Sequence, residues 1–186
     1  MAFNIKIDLE NCYQIEKVSN DLSSCVFTTI LKDGSPANLA VQVCGEHDLL
    51  PNVLNLAFGP LNEDGSINDS IKLHHRDHSK AFSTIVSAGM RYLKENAAKY
   101  LGFDGSNHAR AYLYYRCVQN NFDYLTQHFE IYGVNYYARM LRKIRDDDFE
   151  SFDMQNMIAF PQAISPTEQI PHEKLYNYII FRMRNK

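Results

Sequence analysis

The most constraining feature of the chain is the turn at Asp104-Gly105-Ser106-Asn107. It joins a short apolar run, Leu101-Gly102-Phe103, to a stretch in which Ala109, Leu113 and Cys117 recur at helical spacing. A run of that kind is a buried strand, the Gly permits a tight turn, and the polar residues offer acceptors for the first free N–H groups of a helix. The neighbouring segments extend the pattern. Asp77 opens a longer stretch in which Phe82, Ile85, Val86, Gly89, Met90 and Leu93 form one apolar stripe, with Lys80, Arg91, Lys94 and Glu95 on the other face. Phe129, Glu130, Ile131 and Tyr132 alternate and stop at Gly133. The expected order is strand 66–75, helix 77–98, strand 101–104, helix 107–125 and strand 129–134.

A β-rich region precedes this core. Phe3, Ile5 and Ile7 alternate with polar residues, as in a half-buried strand. Residues 25–31 and the alternating Leu39, Val41 and Val43 flank Lys32-Asp33-Gly34-Ser35-Pro36, which predicts a hairpin. Residues 53–59 and 66–75 flank Asn62-Glu63-Asp64-Gly65-Ser66 and predict a second antiparallel pair. After the core, Tyr136, Tyr137, Met140, Leu141 and Ile144 suit a short helix within 135–150. Pro161, Pro166 and Pro171 predict a loop over 160–172, and the apolar run 175–183 predicts a closing strand at the sheet centre. The fold class is therefore α+β, a mixed, mostly antiparallel sheet with two main helices. It forms a single domain over 1–186, with a β-rich N-terminal region over 1–75, a core over 66–134 and a C-terminal helix, loop and strand over 135–186.

Composition narrows the function classes. A net charge of -3 over 186 residues favours no large nucleic-acid footprint. The four cysteines, Cys12, Cys25, Cys44 and Cys117, form no C-x-x-C pair and match no zinc spacing, which fits buried thiols in a reducing cytosol. No signal segment or membrane-length apolar run is visible, so the expected location is cytoplasmic.

Three groups of residues could carry chemistry. His74, His75 and His78 surround Arg76 and Asp77, but strand alternation sends His74 and His75 to opposite faces, so no metal site is expected. Ser106, Asn107, His108 and Arg110 stand at a helix start, where a small anionic ligand would be held, with Tyr114 one turn further on. The same polar residues also read as simple caps. Tyr136, Tyr137, Arg139 and Arg142 interleave aromatic and basic types, which suits a protein interface more than a nucleic-acid one at this net charge. The tyrosines also suit a homodimer.

The strand and helix order resembles the core of the GNAT acetyltransferases. In that superfamily an Asn often opens the helix after the fifth strand, with a Tyr seven residues on, and Asn107 and Tyr114 stand at that spacing. The resemblance implies that Tyr114 is a general acid toward the thiolate of coenzyme A, that Asn107 orients the cofactor, and that acetyl-coenzyme A is the cofactor. The superfamily's glycine-containing pyrophosphate loop, R/Q-x-x-G-x-G/A, is replaced by Leu73-His74-His75-Arg76-Asp77-His78-Ser79. This departure implies no cofactor and an interaction protein on the same scaffold, of a bacterial or phage accessory system. An acyltransferase or another nucleotide-handling enzyme is the alternative, and nucleic-acid binding through 136–145 a further one. The run Phe103-x-Gly105-Ser106-x-x-Ala109-Arg110-x-x-Leu113-Tyr114 also resembles the core pattern of a family of uncharacterised bacterial proteins.

Overall fold

In a computed structural model, eight strands form one sheet in the order β1-β2-β3-β4-β5-β8-β6-β7. The strands are β1 (Ile15–Val18), β2 (Ser24–Ile30), β3 (Pro36–Glu46), β4 (Val53–Pro60), β5 (Tyr100–Phe103), β6 (Phe129–Leu141), β7 (Ser151–Ala163) and β8 (Tyr178–Met183). The helices are α1 (His78–Glu95), α2 (His108–Asn120) and the short α3 (Phe122–Leu125). The structure describes residues 4–62, 64–68, 71, 73–105, 107–141, 151–167, 170–171 and 174–184. Every pairing among the described strands is antiparallel except β4 with β5.

Local chemistry explains the elements that the sequence makes plain. At the β2–β3 turn, Gly34 takes φ +87° and the Asp33 carboxylate accepts from the N–H and hydroxyl of Ser35. Asp77 and Asn107 cap α1 and α2 through side-chain oxygens that accept the N–H groups of Lys80 and Arg110. Both helices pack on one face of the sheet, where Phe58 of β4 touches Phe82 of α1 and Tyr114 of α2. Phe27, Leu93, Leu101, Phe129 and Phe181 fill the main core on that face, and β8 closes the sheet centre between β5 and β6.

Four expectations are corrected, each by a partner distant in sequence. Residues 4–13 form no strand. Ile5 and Ile7 are buried as their alternation requires, but the backbone lies across the helices. The N–H groups of Lys6, Asp8 and Tyr13 donate to Ser79, Ser83 and Thr84 of α1, and those of Ile7 and Leu9 donate to Asn121 and Tyr124. The described residues of 66–75 make only isolated bridges, Ile67 with Leu61 and His75 with Leu31. The turn at Asn62–Ser66 does close and Asn68 N donates to Pro60 O, but residues 74–76 are tied instead to the end of β2, where Lys32 N donates to His74 O and Arg76 N donates to Ile30 O.

The third correction concerns 135–150. Residues 135–141 continue β6 and pair with β7, so long-range pairing overrides a spacing that also fits a helix. Residues 142–150 lie outside the described residues. The fourth concerns 160–172, where β7 runs through Pro161 to Ala163. Val134, opposite Pro161, gives its carbonyl to Asn177 N–H on the other side, so this is a non-hydrogen-bonded pair. Pro161 therefore costs the ladder no bond, as an edge strand allows.

Candidate functional site

The site lies where β4 and β5 part. The two strands run parallel over Val53, Leu54 and Asn55, which face Tyr100, Leu101 and Gly102. Beyond that β4 continues to Pro60 along β3, while β5 ends at Phe103 and the chain turns into α2. The parting leaves a cleft of about 970 Å3 at the carboxyl ends of the two strands, the place where open sheets with parallel strands bind ligands. Phe58, Phe82, Phe103 and Tyr114 form its apolar wall, and Asn55, His75, His78, Asp104, Asn107 and Arg110 contribute polar groups.

Tyr114 is wedged between sheet and helix. Its ring stands edge-on to Phe103 at 5.4 Å and to Phe58 at 5.9 Å, and tilted against Phe82 at 6.2 Å. It also lines an apolar internal cavity of about 60 Å3 behind the cleft wall, together with Ile7, Leu56, Cys117 and Phe181. Asn107 lines the cleft and caps α2, with its Oδ1 3.1 Å from Arg110 N. Gly105 lets the turn close onto α2, because a Cβ there would lie 2.1 Å from Ala111 N. The structure thus brings Tyr114, Asn107 and Arg110 to one cleft. His108 is exposed and does not line it, and Ser106 lies outside the described residues.

The start of α1 forms another wall. Arg76 N donates to Ile30 O at 2.8 Å, and His74 O accepts from Lys32 N at 2.9 Å. His75 Nδ1 lies 3.2 Å from Thr29 Oγ1, and its ring stands edge-on to His78 at 5.4 Å. Burial, with the neighbouring His78 and His74, pushes the His75 imidazole down to about 4. Burial lowers His78 as well, with Lys32 and His74 adding to the effect. His74 is exposed, and among the described residues no group of three or more His, Cys, Asp or Glu is placed to hold a metal ion.

The cysteines divide by burial. Cys25 and Cys117 are buried, Cys12 is half-buried, and Cys44 is exposed. Burial raises the Cys117 thiol to about 12, so it is an inert core residue.

Of the residues expected at an interface, Tyr137 and Arg139 are exposed on β6, and Arg142 lies outside the described residues. Tyr136 turns inward to a cluster on the sheet face opposite the helices, which sequence reading missed. His47 Nε2 lies 2.7 Å from Tyr136 Oη, and Tyr178 Oη donates to Asn55 Oδ1 at 3.2 Å. Leu49 N–H donates to His47 Nδ1 at 3.1 Å, which places the neutral ring's proton on Nε2 and makes Tyr136 the acceptor. Burial and then Asp104 raise the Tyr136 phenol. The partners are 89 and 123 residues apart, so no spacing rule could have found them.

A family pattern matches residues 10–159. The chain belongs to a family of unknown function (DUF6934). This agrees with the resemblance to an uncharacterised family, and the matched span stops inside β7, before β8. No curated protein and no solved structure matches. No described helix is long and apolar enough to cross a membrane.

Proposed function

We propose that the protein is an interaction protein on an acetyltransferase-like scaffold, and that it works by binding rather than by acyl transfer. The succession β4, α1, β5, α2, β6 and β8 supports the scaffold, with the cleft at the parting of β4 and β5. The start of α1 carries the reading. A pyrophosphate at that helix end needs free backbone N–H groups and a close approach. The Lys80 N–H is taken by Asp77 and the Arg76 N–H by Ile30, and the Asp77 carboxylate adds negative charge where the anion would sit. The residues present do not fit coenzyme A. A thermal shift series with coenzyme A and acetyl-coenzyme A tests this. A ligand at ~100 times its dissociation constant adds ~2.7 kcal/mol, several degrees for a chain of this size. No shift is expected, and a shift of that size overturns the reading.

The second reading is an acyltransferase or another nucleotide-handling enzyme. It is favoured by one observation, the convergence of Tyr114, Asn107 and Arg110 on a single cleft. Tyr114 would then donate a proton to the leaving group. A Tyr114→Phe variant with undiminished turnover would remove that role.

A further inference from the structure

The cleft and the internal cavity behind it share a wall. Leu56 and Phe58 of β4, Phe82 and Ile85 of α1, Phe103 of β5 and Tyr114 of α2 line both. The partition is therefore made of apolar side chains from four separate elements. Its rings, Phe58, Phe82, Phe103 and Tyr114, are only half-buried, so aromatic surface lies open in a concave site of about 970 Å3. Small-molecule sites have this character, at ~300–1,000 Å3 with an apolar lining and a few convergent polar groups. Behind the rings, the cavity of about 60 Å3 is lined by aliphatic and aromatic side chains and the Cys117 thiol, with no charged group. An enclosed space of that kind stays dry, and at the ~30 Å3 that a water takes in the liquid it has room for about two carbon-sized groups.

We propose that cleft and cavity form one ligand site, and that its ligand is a small aromatic monocarboxylic acid with a short alkyl end. The carboxylate meets Arg110 at the mouth, the ring lies against the four aromatic side chains, and the alkyl end passes between them into the cavity. Three observations select this chemistry. Counted with neutral histidines, the described charged residues of the lining are Arg110 and Arg116 against the single carboxylate of Asp104, in a protein whose net charge is -3. One negative charge balances that local excess, and a phosphate dianion would exceed it.

Arg116 is exposed at the rim, whereas Arg110 is half-buried and stands one turn before Tyr114, on the same face of α2. Its guanidinium fork matches the two oxygens of a carboxylate. The wall rings meet edge-on or tilted, with centroids between 5.4 and 6.2 Å apart, a packing that one further flat ring extends. The proposal deepens the binding reading and rests on it in one point, that coenzyme A does not fill the cleft.

Titration of the full chain followed by two-dimensional amide NMR tests it. The ligands are benzoate, para-ethylbenzoate, the uncharged para-ethylbenzamide and coenzyme A, each alone. The wild type should bind para-ethylbenzoate with a dissociation constant below ~1 mM, in keeping with so small a ligand. It should prefer para-ethylbenzoate to benzoate ~10-fold, the usual effect of burying two methylene-sized groups. It should prefer the acid to the amide ~5-fold or more, because the bond to Arg110 is charge-assisted. Cys117 and Val86 line the cavity and not the cleft. Cys117→Leu should erase the preference for the ethyl group, and the milder Val86→Ile should reduce it. Arg110→Gln should erase the preference for the acid, and the amide spectrum shows that each variant is folded. No saturable binding of para-ethylbenzoate up to ~1 mM overturns the proposal. Absence of either preference in the wild type, or its survival in the folded variants, overturns it too. Coenzyme A separates the two readings. Its saturable binding overturns both, whereas failure of the acids without coenzyme A binding overturns the two-part site alone.

Discussion

Asp77 Oδ1 accepts the N–H of Lys80 at 2.9 Å, so the carboxylate closes the first turn of α1 from within the chain. The same helix end is tied to β2 through Arg76 N and Ile30 O. Asp77→Ala should cost about 1 kcal/mol, the ordinary value of an N-cap, and lower the melting temperature by about 2–4 °C. Asp77→Ser should recover most of that. A thermal melt of both variants checks it, and equal melting temperatures would remove Asp77 as a cap.

Asn121 is 7% exposed and ties three segments together. Its Oδ1 accepts from Ile7 N, and its Nδ2 donates to Ile5 O and Cys117 O. Asn121→Leu leaves those backbone groups buried and unmet, at a cost on the order of 3 kcal/mol. Urea unfolding should show the loss. Hydrogen exchange should also show residues 4–13 opening ahead of the sheet.

Gly102 has no side chain because Tyr178 fills the space. A Cβ at Gly102 would lie 2.2 Å from Tyr178 Cε1. Gly102→Ala should destabilise by about 1–3 kcal/mol through overpacking. Combined with Tyr178→Leu, the cost should fall well below the sum of the single changes, since the two residues share one volume. A double-mutant cycle by chemical denaturation measures the coupling, and simple additivity would contradict the packing.

His75 should give the protein an acid limb. Its imidazole titrates at about 4 in the fold against 6.5 in the unfolded chain. Between these values the unfolded state binds the extra proton, so folding weakens as pH falls from 6.5 toward 4. Above 6.5 the contribution is complete. The slope from this one group cannot exceed about 1.4 kcal/mol per pH unit. His75→Gln should flatten the limb in that window while keeping a group able to reach Thr29. Stability measured against pH for both proteins checks it.

Local chemistry was legible and distant pairing was not. The Gly34 turn, the Asp77 and Asn107 caps and the α1 stripe each depend on residues within one turn of one another, and their sequence signals hold. Ile5 and Ile7 show the limit. Their alternation correctly gives burial, but the partner is a row of Ser and Thr hydroxyls on α1, more than seventy positions away. Tyr136, Tyr137, Met140 and Leu141 fit a helix or a strand, and only the pairing with β7 decides between them. Pro161 argues against a strand unless it is known to stand at an edge. The site divides in the same way. Asn107, Arg110 and Tyr114 lie within the first two turns of one helix and converge, whereas His47 and Tyr178 meet Tyr136 only through the sheet.

Under the proposed reading the start of α1, closed by Asp77 and tied to Ile30, receives no cofactor pyrophosphate. Isothermal titration of the full chain with coenzyme A, beside Asp77→Ser, tests it most directly. The account predicts no saturable heat for the wild type up to ~1 mM ligand, and a wild-type dissociation constant of ~10 µM or tighter would contradict it.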